Sequence, residues 1–245
     1  GRRVARRLAQ VRSTTREPSP SDYQHTLREV IGRCLYGVDI TEMAVELCKV
    51  SLWMEALEPG RPLSFLDHHI KQGNALLGTT PELLAKGLPE DAFEELTGDD
   101  PEVARRLKKR NRDERRGKAV GVHDTRGAAA AIAGTATTPL PPQTPAIDQT
   151  SDDDLPAVTA KARRYREFVD SPAYRDALFL ADAWCAAFVW PKTAANENLA
   201  PTHSLLQILQ RDPNKAPAGL REKVAKLAED YHFFQWHLAF PHVFG

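Results

Sequence analysis

The sequence predicts an α/β fold: part of a parallel sheet interrupted by a large, mostly helical insertion. Three observations predict it. Residues 1–78 alternate helix, strand, helix, strand, which is the grammar of a parallel sheet. The two strands end in Asp39 and in Gly73-Asn74, polar residues of the kind that line the crevice of an open α/β sheet. From Leu155 onward the apolar residues return only at helical spacing.

The first helix is read from Gly1 to Arg12, where Val4, Leu8 and Val11 share one face and arginines fill the rest. No Ser, Thr, Asp or Asn stands before it as a cap, so the chain is expected to start inside an element, not with a transit peptide. Pro18-Ser19-Pro20-Ser21 breaks this helix, and Ser21 is expected to cap a second one over Asp22 to Gly32. Leu35 to Asp39 reads as a short buried strand. Thr41 is the expected cap of the next helix, with Ala44, Leu47, Cys48, Ser51 and Leu52 as its apolar stripe. His69 to Gln72 is the second strand.

The middle changes character. Glu82 to Asp100 carries seven acids and one Lys, net −6, and Pro101 to Lys118 carries nine bases and three acids, net +6. The overall charge of +0 is therefore a cancellation of local fields and excludes no polyanionic partner. The basic run Arg105 to Lys118 suits DNA phosphates; the favoured reading is a solvated helix paired with the preceding acids. Gly127 to Thr150, rich in Ala and Thr with four prolines, reads as a disordered linker. Helices follow over Leu155 to Trp190, broken at Ser171-Pro172, and over Leu220 to Tyr231. The last fifteen residues are aromatic and are expected to pack back onto the sheet. The implied organisation is a core over 1–78, a charged and low-complexity insertion over 79–150, a helical insertion over 151–230, and a returning segment over 231–245.

Composition narrows the function classes. Hydrophobic content of 42% and charged content of 27% exclude a wholly disordered or collagen-like chain. No apolar run reaches membrane-span length. Three widely spaced cysteines, Cys34, Cys48 and Cys185, argue against a disulfide framework and against zinc, and point to a reducing cytoplasm. His232, His237 and His242 recur every five residues, so no helix face collects them. His68 and His69 are expected on opposite faces of a strand and form no chelate. No metal site is expected.

Asp39 at a strand tip can accept hydrogen bonds from ribose hydroxyls, and Ile40 beside it can lie against a purine face. Equally, an acid between strand and helix serves as a cap or turn residue. Gly73 admits a close backbone approach, and Asn74 offers both donor and acceptor to an adenine edge. An acid at a strand tip also suits a nucleotide-dependent dehydrogenase.

Tyr36-Gly37-Val38-Asp39, the run Ala44 to Trp53, Pro62 to Ile70, and Gly73-Asn74-Ala75-Leu76-Leu77-Gly78 closely resemble the large adenine-specific DNA methyltransferases of type IIG restriction–modification and related phage-defence systems. Leu180 to Phe188, Pro201-Thr202 and Phe233 to Phe244 extend the likeness over essentially the whole chain; it is densest from Leu35 to Gly78. The resemblance implies a partial Rossmann-like methyltransferase sheet, S-adenosylmethionine as methyl donor, and duplex DNA as substrate. It also implies further restriction or defence-system subunits as partners. By it, Asp39 matches the acid that holds the cofactor's ribose, Asn74 sits near the adenine amine, and Ala75 and Leu76 line the adenine pocket.

Two motifs of that family do not occur in these 245 residues: the glycine-rich loop F-x-D-P-x-x-G-x-G, and the N-P-P-Y/F/W tetrapeptide that receives the flipped base. Ser171-Pro172-Ala173-Tyr174 has one proline and the aromatic, but Ser-Pro is also a helix start. No catalytic residue is therefore assigned. Ala239 and His242 also stand where the family would carry acids. The expectation is an internal fragment, inactive alone, whose missing motifs lie just outside it; the alternative is a divergent, non-catalytic module that binds DNA or protein.

Overall fold

In the computed structural model, residues 1–13, 17–117, 147, 150 and 152–244 are described. In chain order they form α1 (Arg2–Arg12), α2 (Pro20–Cys34), β1 (Gly37–Asp39), α3 (Glu42–Glu55), β2 (Ile70–Gln72), α4 (Pro81–Lys86), α5 (Pro101–Arg115) and α6 (Leu155–Val169). There follow α7 (Pro172–Val189), α8 (His203–Arg211), α9 (Leu220–Tyr231), α10 (Trp236–Ala239) and α11 (Pro241–Phe244). The fold is mixed α/β and mostly helical, with a two-stranded parallel sheet. No helix among the described residues is long and apolar enough to cross a membrane. The expected linker over 127–150 lies outside the described residues, except for Ile147 and Thr150.

The chain divides into two units, Gly1–Ala75 with Pro142–Ser171, and Leu76–Pro141 with Pro172–Gly245. In the first, α2 begins two residues before the position expected from Ser21. Ser19 is the cap, because Asp22 completes the reciprocal pair: its N–H donates to Ser19 Oγ at 3.1 Å, and its carboxylate accepts the Ser19 N–H at 3.3 Å. The packed face of α1 is also not the expected one. Ala5 and Ala9 are buried while Val4 and Val11 are exposed, since alanines let α1 and α2 approach closely.

β1 pairs with β2 in parallel, Gly37 opposite Ile70 and Asp39 opposite Gln72. Both strands are shorter than expected, and β1 is half-buried to exposed, not buried. The stripe expected on α3 is corrected too. Val45 and Lys49 face inward, with Leu52 and Trp53 half-buried behind them, whereas Leu47, Cys48 and Ser51 are exposed. Apolar residues surround much of this helix, so its period alone could not choose a face. Polar anchors choose it: Trp53 Nε1 donates to the Ser64 carbonyl at 2.8 Å, and the Lys49 ammonium lies 2.8 Å from both Glu46 and Asp67. His68 and His69 are likewise not on opposite strand faces. Both are buried in the turn before β2, their ring centroids 3.9 Å apart, with Phe65 stacked on one and Tyr36 tilted against the other.

The second unit holds the larger apolar core, from Leu88, Phe93, Val103 and Leu107 to Trp184, Trp190, Leu205 and Leu209. Its helices are joined by buried polar ties. At the N-terminus of α8, the orphan N–H groups of His203 and Ser204 donate to Asn111 Oδ1 at 3.0 Å and Glu114 Oε2 at 2.9 Å, both from α5. A carboxylate there also complements the helix dipole. Gly87, with φ +71°, passes so close to the His203 ring that a Cβ would stand 2.4 Å from it.

The aromatic segment 233–240 belongs to this unit. The Phe234 N–H donates to the Leu77 carbonyl at 2.8 Å, and Gln235 Oε1 accepts the Thr79 N–H at 2.9 Å. Gly78 permits that seam, because a Cβ on it would lie 2.2 Å from the Phe234 carbonyl oxygen. α9 has the bounds read from the sequence. Ser171-Pro172 is a helix boundary, as favoured: α7 begins at Pro172, and Ser171 Oγ closes the end of α6 by donating to the Phe168 carbonyl at 2.7 Å.

Candidate functional site

A parallel pair aligns the C-terminal ends of its strands, and here the chemistry-bearing residues collect. Asp39 ends β1 and stands opposite Gln72, the last residue of β2. The Gly73 N–H donates to the Asp39 carbonyl at 2.9 Å, extending the ladder one step beyond the strands; Asn74 and Ala75 follow directly in the chain. Asp39 is exposed. Its Oδ1 accepts the Thr41 N–H at 2.8 Å, an Asx-type turn that enters α3. Thr41 occupies the cap position as expected, but its side chain makes no cap bond. The turn role and the ligand role of Asp39 are thus compatible, because Oδ2 has no protein donor among the described residues.

Four of the five candidate residues, Asp39, Ile40, Asn74 and Ala75, thus stand at or within three residues of the paired ends of β1 and β2 in the first unit. Ile40 is 48% exposed. Leu76 is the first residue of the second unit and is 90% exposed. Sequence reasoning missed Gln72, whose Nε2 donates to the Ile40 carbonyl at 3.1 Å and so ties the turn after β1 to β2. The strand register would have revealed it, since Gln72 faces Asp39 across the ladder.

The set offers one carboxylate, one carboxamide and an aliphatic surface. Nothing in it holds a metal, and no cluster of three or more His, Cys, Asp or Glu side chains among the described residues could do so. A polar hollow of about 210 Å³ in the same unit is lined by other residues: Arg12, His25, Arg28, Glu29, Arg33 and Asp152 among them. Its charges answer one another, with Arg12 and Arg33 on Glu29 and Arg28 donating to the Asp152 carbonyl at 2.7 Å.

The basic run is mostly spoken for. Lys108 pairs with Glu94, Arg116 with Glu90, Arg105 with Glu102, Arg106 with Glu197 and Arg110 with Glu114. The favoured reading, a solvated helix paired with the preceding acidic stretch, holds for two of these pairs, through Glu94 and Glu90; Glu102 and Glu114 belong to the helix itself and Glu197 comes from beyond α7.

No curated protein and no solved structure matches the chain. The family model described as Eco57I restriction-modification methylase matches residues 33–245. That span takes in both strands, the exposed strand-end acid and every tie of the second unit described above, and the chain belongs to this methylase family.

Proposed function

We propose that this chain is part of a site-specific methyltransferase that modifies the exocyclic amine of adenine in duplex DNA, and that its β1 and β2 ends hold the adenosine part of S-adenosylmethionine. The single observation that carries the reading is the exposed Asp39 carboxylate at the end of β1, on a residue whose backbone carbonyl accepts the Gly73 N–H just past β2. Asp39 accepts from the ribose hydroxyls through the oxygen that Thr41 leaves unused. Gln72 fixes the Ile40 carbonyl, so that the Ile40 side chain meets one face of the purine. Asn74 pairs with the adenine edge, and Ala75 completes the apolar lining. When bound, S-adenosylmethionine supplies a sulfonium methyl open to in-line displacement by an amine. The strands belong to a Rossmann-like sheet in this reading. We place the protein in the cytoplasm with its DNA substrate and with further subunits of a restriction or phage-defence system.

Titration with S-adenosylmethionine, followed by amide chemical shifts, is expected to perturb residues 38–41 and 72–76 first. Asp39→Ala is expected to weaken that binding about 10- to 100-fold, the worth of one or two hydrogen bonds to a charged acceptor. Equal affinity in the variant, or shifts confined to other residues, would refute the site.

Methyl transfer itself needs a group that accepts from the target amine and a surface for the flipped base, and no N-P-P-Y/F/W motif is present in these residues. The 245-residue chain alone is therefore expected to leave duplex DNA unmethylated; labelled methyl accumulating on DNA with repeated turnover would contradict this.

A further inference from the structure

α1 carries five arginines and no acid among its eleven residues. Two of the five are answered within the first unit. Arg2 lies 2.6 Å from Glu55, and Arg12 pairs with Glu29. Arg3, Arg6 and Arg7 are exposed and meet no acid among the described residues. At about 100° per residue they share one arc of the helix, with Arg7 directly across from the buried Ala5 and Ala9. Like charges three and four residues apart work against a helix. No contact within the unit repays that cost, so this arc is cationic surface that the fold itself leaves unused.

We propose that Arg3, Arg6 and Arg7 grip one phosphate strand of duplex DNA, a contact that positions the duplex without reading its sequence. The proposal rests on the reading of the chain as part of a DNA-modifying enzyme. The residue type suits phosphate: every cation of α1 is Arg, whose planar fork can take two phosphate oxygens at once. The spacing suits a strand. From Arg3 to Arg7 the helix rises about 6 Å, and one strand presents a phosphate about every 3.4 Å along the duplex axis, so three guanidiniums face three successive phosphates. A membrane surface fits less well. A helix lying on lipid inserts its apolar side, and the apolar side of α1 is spent inside the first unit, where Ala5 packs with Leu27, Val30 and Ile31. The exposed Val4 and Val11 beside the arginines bring no large side chain to insert. An acidic protein segment would answer the charge alone, whereas a restriction-modification methylase meets DNA in every turnover.

Binding of the 245-residue chain to a duplex of about 20 base pairs, followed by fluorescence anisotropy from about 50 to 200 mM salt, reads the number of phosphates engaged. The triple variant Arg3→Gln, Arg6→Gln, Arg7→Gln is expected to lower the slope of log affinity against log salt by about 2.7, about 0.9 for each lost contact. Over that range the wild type then loses about 40-fold more affinity than the variant. Gln is close to Arg in helix propensity, and far-UV circular dichroism is expected to stay unchanged. Lys at the same three positions is expected to keep the slope, since each ammonium still displaces a counterion. Lys215→Gln, Lys223→Gln, Lys226→Gln removes equal charge from the second unit and is expected to move the slope by less than about 0.5. Cofactor shifts at 38–41 and 72–76 are expected to persist in the α1 variant, so failure of this face and failure of the cofactor site are read separately. A wild type that binds no duplex at about 50 mM salt overturns the proposal. A slope that the α1 Gln variant leaves intact overturns it too, as does one that both Gln triples lower equally. Loss of binding to phosphatidylserine vesicles or to polyglutamate, with duplex binding unchanged, overturns it in favour of those partners.

Discussion

Lys192→Ala is expected to destabilise the second unit by about 3 kcal/mol or more, the usual result of removing one partner from a buried ion pair. The Lys192 side chain is fully buried and its ammonium lies 2.9 Å from Asp99 Oδ2 and 3.1 Å from the Trp190 carbonyl. The same carboxylate accepts the Lys192 N–H at 2.9 Å through Oδ1 and the Leu96 N–H at 2.9 Å through Oδ2. The Asp100 N–H, at the cap of α5, returns a bond to the Lys192 carbonyl at 2.9 Å. One loop after α7 is thereby tied to the loop that starts α5. Burial works to raise the Asp99 carboxyl, but these donors outweigh it and hold it below the ordinary range. A depressed carboxylate stabilises the fold above its unfolded pKa, and this contribution is lost as the pH falls through the acid range. In Lys192→Ala the carboxylate keeps two backbone donors and loses its countercharge. Lys192→Met, which restores apolar volume, should recover little if the charge is what matters. Urea unfolding followed by hydrogen exchange in 96–115 and 172–192 measures both variants, and a loss under 1 kcal/mol for Lys192→Ala would show the pair to be dispensable.

The parts of this molecule legible in the sequence are those where local chemistry and tertiary context agree. Leu220–Tyr231 is such a case: Gly before it, apolar residues at helical spacing within it, and a chain reversal after it. The strand ends are another, because an acid closing a short apolar run and a Gly-Asn pair after the next run are both visible without coordinates. The helix α3 is the opposite case. Two of its faces are apolar, so periodicity could not say which meets the core; Lys49, a residue that sequence reasoning places outside, is buried because Glu46 and Asp67 neutralise it. The histidine pair failed for a related reason. Alternation assumes a strand, and His68 and His69 precede the strand in a turn.

Long-range polar ties were not legible at all. Nothing within the sequence near Gln235 announces that its carboxamide faces Thr79 and Asp182, 156 and 53 residues away. The basic run was readable in part, because Glu90, Glu94, Glu102 and Glu114 lie within it or shortly before it; its pair with Glu197, 91 residues from Arg106, was not. The glycine at position 78 was noticed as part of a motif, while the physical demand on it, the carbonyl of Phe234, comes from the far end of the chain.

That tie at Gln235 gives the last prediction: Asp182→Asn is expected to stabilise the second unit at pH 8 and to do so much less at pH 4. Asp182 is buried on α7, and burial pushes its carboxyl up to about 7, against a single opposing hydrogen bond from Gln235 Nε2 at 2.8 Å. The groups around it supply no countercharge. Cys185, which also meets Gln235, and Tyr174 are both pushed up to about 12 by burial and so are neutral. His237, bonded through Nδ1 to the Thr79 carbonyl at 3.1 Å, is held down by burial. Below pH 4 the acid is protonated in folded and unfolded chain alike and costs nothing. From there to about 7 the unfolded chain ionises while the folded one keeps its proton, so stability falls by about 1.4 kcal/mol per pH unit and then levels off. Asn cannot ionise and still offers Oδ1 to Gln235, so the variant escapes that cost. The difference in unfolding free energy between variant and wild type should therefore grow by about 4 kcal/mol between pH 4 and pH 8. Comparing the two proteins at each pH cancels the opposite, acid-side loss carried by Asp99. A difference that is the same at both pH values would mean that Asp182 is ionised in the folded protein and paired by a route other than Gln235.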